Sequence, residues 1–477
     1  MKSRKYLILL IFLFSLGGCK IWPAYERPPA DLPAAWRGAP AQGLAIGEHW
    51  WTLYNDRALD ALLAEAYQHN RDLALAAARV DEARALARVV DAERSISIDG
   101  RAQVDRTRSS EVGANPIPAD FLERSSHRAQ INVSYELDLW GRLRGGSDAA
   151  RADLLATQAA HDTVRMALAA DVVRAYYTLI ALDEQIAATQ RSLALREDNL
   201  RLQRVRNKAG LTSDFQLRQL EAEVAAAQAQ LPALQRARTT QEAALAVLLG
   251  RGPRAIIEAA VPGGADKNEP PPPVVPEGLP SDLLVRRPDI AQAEQRLIAA
   301  NARIAAARAA MFPRIALTGY FGSESRQLTD LFSGPALIWQ LAAGLAQPIF
   351  QGGRLQAEVD AVKAREGQAL AQYQKTLQES FREVRQALAA QTRSREVFDA
   401  ETARVAALRD ALRLARIRFE SGLSSQLEVI DAERNLLLAE LNRIDALRDR
   451  RTAVADLVRA LGGGWQGLPA TAAAQAQ

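Results

Sequence analysis

The chain has one cysteine, three methionines and four histidines in 477 residues, and aromatic side chains make up only 6%. A lone cysteine rules out an intrachain disulfide, so packing and assembly must hold the fold. His49, His69, His127 and His161 show no ligand spacing, and Met1, Met166 and Met311 are too few for a copper-export specialist. There is no phosphate-binding glycine loop and no nucleophile elbow. No enzyme activity, cofactor or metal is therefore expected. The net charge is +4, and three of the cations, Lys2, Arg4 and Lys5, sit at the extreme N-terminus, which gives no basis for nucleic-acid binding. Beyond the first residues no stretch is long and apolar enough for a transmembrane helix, so any spanning must be done by strands. Few aromatics also argue against a compact bundle with a heavy apolar core. Hydrophobic residues at 48% and charged residues at 24% nevertheless belong to a folded protein.

What the sequence does contain, it contains twice. Gly210-Leu211-Thr212-Ser213 is matched by Gly422-Leu423-Ser424-Ser425, Leu249-Gly250 by Leu461-Gly462, and Arg142-Leu143 by Arg354-Leu355, all 212 residues apart. Asp72-Leu73 with Arg79 is matched by Asp289-Ile290 with Arg296, 217 residues apart. A duplicated unit of this kind usually closes its core with copies of itself. The divisions read as a leader over 1–18, an extended arm over 19–55, a first repeat over 56–262, a linker over 263–280, a second repeat over 281–463 and a disordered tail over 464–477.

Lys2, Arg4 and Lys5 form a positive n-region, Leu7 to Leu16 a short apolar stretch, and Gly17-Gly18-Cys19 a small-residue cleavage site. This resembles the lipobox of bacterial lipoproteins, which implies that Cys19 is acylated and becomes the mature N-terminus. Lys20 after it, by resemblance to lipoprotein sorting, favours the outer membrane. The arm is rich in Pro and Trp. The linker, Glu269-Pro270-Pro271-Pro272-Pro273-Val274-Val275-Pro276, reads as a polyproline II spacer between the repeats.

Within each repeat, apolar positions first recur with helical period, from Asp56 with a break near Asn70, and again over 289–311. Alternating segments follow, about 95–106 and 128–140 in the first repeat, about 313–324 and 335–349 in the second. Each pair leads into a long helical hairpin, 145–250 and 354–462, turning at Gly210 and Gly422. The outgoing helices have ~100 Å of length at ~1.5 Å per residue. Thr212 or Ser213, and Ser424 or Ser425, can cap the shorter return helices, with which 71–93 and 289–311 could stack end to end. Pro232 should interrupt and kink the first return helix.

Four strands cannot close a membrane barrel, since single-chain barrels begin at ~8 strands, and open edges in lipid leave backbone groups unpaired. Several chains must therefore share one barrel. On periodicity alone the helices fit a coiled-coil rod or a hollow cylinder equally, and the strands at one end decide for the cylinder. The polar phase of the second strand carries Glu136 and Asp138, which are either lumen charges that would bias the pore towards cations or solvated charges near the rim.

The stretch Gly278-Leu279-Pro280-Ser281-Asp282-Leu283-Leu284-Val285-Arg286-Arg287-Pro288-Asp289-Ile290 resembles the signature of TolC-like outer-membrane efflux proteins, in particular the NodT-type lipoprotein branch. Tyr25-Glu26-Arg27-Pro28, Trp50-Trp51, Ala300-Asn301-Ala302 and Phe312-Pro313 are similar to it as well. The resemblance implies a homotrimer, mainly α with membrane β: a 12-stranded β-barrel continued by a 12-helix periplasmic α-barrel. It implies an exit duct for small toxic compounds in the outer membrane of a Gram-negative bacterium. Its partners would be a periplasmic adaptor (membrane fusion) protein, an inner-membrane resistance-nodulation-division pump and outer-membrane lipid. The turns Gly210, Leu211, Thr212, Ser213 and Gly422, Leu423, Ser424, Ser425 would form the tip that docks the adaptor. Leu427, Asp431 and Arg434, spaced i, i+4, i+7 on one helix face, match the family's periplasmic gate. By residues alone, Asp431 and Arg434 read as an ordinary surface ion pair; the resemblance favours the gate. Phe215, Gln219 and Ala222 stand at the corresponding places in the first repeat, so closure would be asymmetric. Rival readings are a type I protein-secretion duct of the same fold and a non-conducting structural envelope lipoprotein.

Overall fold

A computed structural model describes residues 25–29, 47–114, 118, 120, 122–258 and 287–467. Cys19, the linker and the signature residues before Arg287 lie outside the described residues. After a short 3-10 turn at Trp50–Tyr54, the elements are α1 (Arg57–His69), α2 (Arg71–Ala92), β1 (Ser97–Arg108), β2 (Glu123–Leu137), α3 (Arg142–Lys208), α4 (Asp214–Leu248) and α5 (Pro253–Glu258). The second repeat gives α6 (Pro288–Ala309), β3 (Arg314–Ser325), β4 (Leu337–Ala346), α7 (Arg354–Glu420) and α8 (Gln426–Ala460). The strand β2 begins about five residues earlier and ends three earlier than its alternation predicts, and β4 is shorter at both ends. Alternation continues into Asp138 and beyond Ala346, but the cross-strand pairing does not.

The strands form one antiparallel sheet in the order β1-β2-β3-β4. The repeats meet at β2 and β3, where Ile131 opposes Phe321 and Tyr135 opposes Leu317. The helices below keep the same lateral order: α2 beside α3, α3 beside α6, and α6 beside α7. Nearer the turns, α4, α3, α8 and α7 repeat it. Each chain is thus four columns, two of them unbroken helices of 67 residues. The other two are stacked pairs, α4 under α2 and α8 under α6.

The stacking depends on two equivalent joints. At the first, Asn70 ends α1 and starts α2, its Oδ1 accepting from the Leu73 amide at 2.8 Å while its Nδ2 donates to the Leu248 carbonyl at 2.9 Å. At the second, Arg287 donates to the Ala460 carbonyl at 2.8 Å. These bonds satisfy carbonyls that a helix C-terminus otherwise leaves open. Gly250 has φ +70, and a Cβ there would lie 2.0 Å from the His69 carbonyl oxygen, so the first joint admits only glycine.

The main apolar core gathers round these joints, with Trp50, Trp51, Tyr54, Leu63, Tyr176, Leu245, Ile290 and Leu457. Each fully buried aliphatic side chain here contributes about 1.5–3 kcal/mol. Trp50 and Trp51 are therefore core residues, and the Tyr54 hydroxyl donates to the Arg451 carbonyl at 2.6 Å. Two expectations are corrected. The helix α4 is not interrupted but runs through Pro232 as one element, because a long helix packed along α3 tolerates one missing amide donor. The tail begins later than 464: Trp465 donates Nε1 to Asp162 at 2.9 Å, fixing the chain beyond Gly464.

Candidate channel wall, junction and tip

Register separates the sheet into two faces. One carries Ile131, Phe321 and Trp339 in one row, Ile98, Val133 and Leu341 in the next, then Tyr135 and Leu317 and, lowest, Leu137, Ile315 and Leu345. Trp339 and Leu341 are 72% and 81% exposed, so within one chain nothing covers this face. From Ala129 to Leu137 it extends ~26 Å along the strand at ~3.3 Å per residue, near the ~25 Å apolar band of an outer-membrane barrel. The opposite face carries Ser97, Ser134 and Thr318, then Asp99, Asn132, Tyr320 and Gln340, then Arg128 and Glu324. One face suits hydrocarbon and the other water. The outer strands β1 and β4 each have one unpaired edge in the sheet.

No helix among the described residues is long and apolar enough to cross a membrane. Gly322 lets β2 and β3 approach, since a Cβ there would lie 2.2 Å from the Ala129 carbonyl oxygen.

The junction of sheet and helices accounts for Glu136 and Asp138. Glu136 accepts two bonds from Arg142, from Nε at 3.0 Å and Nη2 at 2.9 Å. Asp138 lies just past β2 and accepts from the amides of Leu143 and Arg144 at 3.1 and 2.7 Å, capping α3. Glu136 is thus ion-paired and Asp138 bonded to backbone amides, each within its own chain. Trp140 stacks on Phe312 with 5.0 Å between ring centres, and its Nε1 donates to the Pro313 carbonyl at 2.8 Å. Aromatic residues of this kind mark a membrane–water boundary.

The N-terminal and signature motifs find partners round the second joint. Arg27 grips Glu294 through Nε at 2.6 Å and Nη2 at 2.8 Å. Arg287 is buried, and its Nη2 contacts Asp289 at 2.7 Å and Glu383 at 2.8 Å. Burial works to lower its pKa, but Asp289 and Glu383 outweigh that, leaving it above the usual arginine value. Gly145 allows α3 to close on α6 near Ala302 and Ala306.

Both hairpin turns are built alike. The Gly210 amide donates to Asn207 and the Leu211 amide to Arg206; Gly422 and Leu423 do the same to Phe419 and Arg418. Gly210 and Gly422 both have φ +73, the left-handed end of a Schellman motif. Ser213, not Thr212, caps α4, in a capping box with Gln216. Ser425, not Ser424, holds the cap position of α8, without a side-chain cap bond. Leu211 and Leu423 are exposed. Arg204 pairs with Glu221 across one hairpin and Arg416 with Glu433 across the other, 212 residues apart and unforeseen from sequence.

Beside the second turn, Leu427 is exposed, and Arg434 Nη2 lies 3.1 Å from Asp431 Oδ1 on the same helix. Phe215 is exposed at the place equivalent to Leu427. Among the described residues no cluster of ligating side chains could hold a metal.

The family model described as outer membrane efflux protein matches residues 62–251 and 279–463. The chain is 36% identical to the outer membrane protein OprJ of Pseudomonas aeruginosa over 468 residues, covering 96% of this chain and 95% of that one. It is 35% identical to the toluene efflux pump outer membrane protein TtgC of Pseudomonas putida over 475 residues, with 97% and 96% covered. The crystal structure of the Campylobacter jejuni CmeC outer membrane channel superimposes with a TM-score of 0.90 at 23% identity, covering 96% of this chain and 98% of that one.

Proposed function

The chain belongs to the outer membrane efflux protein family, and from that premise we propose how its parts work as a duct. It is the outer-membrane component of an efflux pump, a passive exit channel for small toxic compounds. Flow through it is passive and driven by its partners.

The observation that carries the mechanism is the four-stranded sheet with two unpaired edges and one apolar face. In lipid those edges demand partners, because unpaired N–H and C=O groups there cost several kcal/mol each. The two edge strands run antiparallel to each other, so β4 of one copy can pair antiparallel with β1 of the next. Three copies give twelve strands, an even number that closes without mismatch. Twelve helical columns continue the barrel, and the polar face of the sheet lines the lumen. Solutes enter at the tip and leave through the strands. The trimer is the working species, its tip turns meet a periplasmic adaptor protein, and a resistance-nodulation-division pump provides the drive. Cys19 carries an acyl anchor in the outer membrane.

Leu427, Asp431 and Arg434 close the tip at rest. The Arg434–Asp431 pair is exposed and intrahelical in the single chain, which keeps it weak and exchangeable. In the trimer these side chains can swap to a neighbouring helix, while three Leu427 side chains narrow the axis. Planar-bilayer conductance of the detergent-purified protein, with its mass measured in the same detergent, tests the duct. Three copies are expected, with discrete conductance steps once Leu427, Asp431 and Arg434 are replaced by alanine. A folded monomer in the membrane, or a trimer that stays silent with those three residues replaced, would overturn it.

A further inference from the structure

Among the charges on the polar face of the sheet, which also carries Arg101, Asp105 and Arg124, one opposite pair is joined directly across two strands near the end remote from the helices. Arg128 on β2 and Glu324 on β3 are direct cross-strand partners, with Arg128 Nη2 3.0 Å from Glu324 Oε2. The guanidinium also sits 5.5 Å from the centre of the Tyr320 ring, which fixes the long side chain against an aromatic wall. Its Nε is buried and bonded to nothing in the described chain. The pair stands one residue beyond Ala129 and Ser323, at the outer limit of the apolar band on the other face. Glu136 sits at the opposite end of β2, neutralised by Arg142.

We propose that Arg128 and Glu324 are the specificity-determining charges of the outer mouth: repeated in each copy, they form a ring of alternating sign that balances cations against anions where solutes leave the barrel. The proposal rests on the assembled barrel described above. Inside a pore the low-dielectric wall concentrates the field of fixed charges, so a ring of one sign selects ions strongly. A ring of close opposite pairs cancels that field beyond its own diameter. Removing one partner would unmask three like charges. Such a balanced mouth suits a duct whose cargo carries no common charge.

The test is the reversal potential of the full-length protein in planar bilayers under a potassium chloride gradient, with Leu427, Asp431 and Arg434 replaced by alanine throughout so that the tip is open. Arg128→Gln is expected to raise the cation-to-anion permeability ratio at least about twofold, and Glu324→Gln to lower it by a similar factor. The double variant should return towards the parent value. Arg128→Lys, which keeps the charge, should leave the ratio unchanged and so separates charge from sheet stability. Conducting single variants that leave the ratio unchanged, or shift it in the same direction, would overturn the assignment alone. Absence of conductance in the open-tip parent would instead remove the duct, and this proposal with it.

Discussion

Arg287 Nη1 donates to the carbonyl of Ala460 at 2.8 Å, joining residues 173 apart in the chain. The equivalent bond in the first repeat is made by an amide, Asn70 to Leu248 at 2.9 Å. Same carbonyl, same joint, different donor: the duplication has kept the bond and changed its chemistry. The guanidinium has capacity left for Asp289 and Glu383, so the second joint also ties in α7.

Arg287→Met should therefore destabilise the protein by about 2–4 kcal/mol, because it strands two carboxylates and one helix-terminal carbonyl. Asn70→Ala should cost about 1–2 kcal/mol, losing one cap and one cross-joint bond. Thermal dissociation of the detergent-solubilised assembly should rank the variants in that order.

Gly322→Ala should impair assembly severely, since the added carbon would lie 2.2 Å from the Ala129 carbonyl oxygen. Gly344→Ala, whose added carbon meets nothing closer than 4.0 Å, should be accepted. Outer-membrane levels of the two variants, compared by fractionation, check the contrast. Equal levels would mean that β2 and β3 separate more readily than their register implies.

Asp431→Ala with Arg434→Ala should raise conductance without altering assembly. Each pair need hold only about 1 kcal/mol or less, given its exposure. Adding Leu427→Ala should raise conductance further by widening the apolar constriction. Unchanged single-channel conductance in that triple variant would place the gate elsewhere and leave Asp431–Arg434 a surface pair.

Cys19→Ser should abolish acyl labelling in a Gram-negative host yet leave much of the conductance, because the barrel itself holds the membrane. Absence of label on the unsubstituted chain would defeat the lipid-anchor proposal.

Glu65 gives an acid limit. Arg251 donates two bonds to it, at 2.7 and 3.0 Å, and holds its pKa below the ordinary 4.5. A lowered folded pKa means the contribution is complete above pH 4.5 and is lost as pH falls through the folded value. Glu65→Gln should thus flatten the stability profile below pH 4.5. Thermal scans at descending pH that coincide for the two proteins would contradict it.

Much of the architecture was legible because the repeat made each element vouch for its counterpart. The 212-residue spacing placed both hairpin turns, and the 217-residue spacing placed both stacked helices. The site was less legible. The phase of β2 puts Glu136 on the polar face, but its neutralising partner comes from the first turn of α3. Arg128 and Glu324 lie 196 positions apart, and no local pattern announces that β2 and β3 pair in that register. Asn70 and Arg287 share the 217-residue spacing, yet an amide and a guanidinium do not look alike. Pro232 misled because propensity weighs one lost donor without the packing along α3 that outweighs it.

The unpaired edges of the sheet also have a genetic consequence. In the proposed trimer a copy with a faulty edge would not fail alone; it would enter a ring and leave its neighbours unable to close. If faulty and sound copies are made in equal amounts and mix at random into trimers, only about one ring in eight is wholly sound. Lesions in β1 or β4 that still permit association should therefore behave as dominant. Lesions that prevent the chain from associating at all should be recessive, because the sound copies then find only one another.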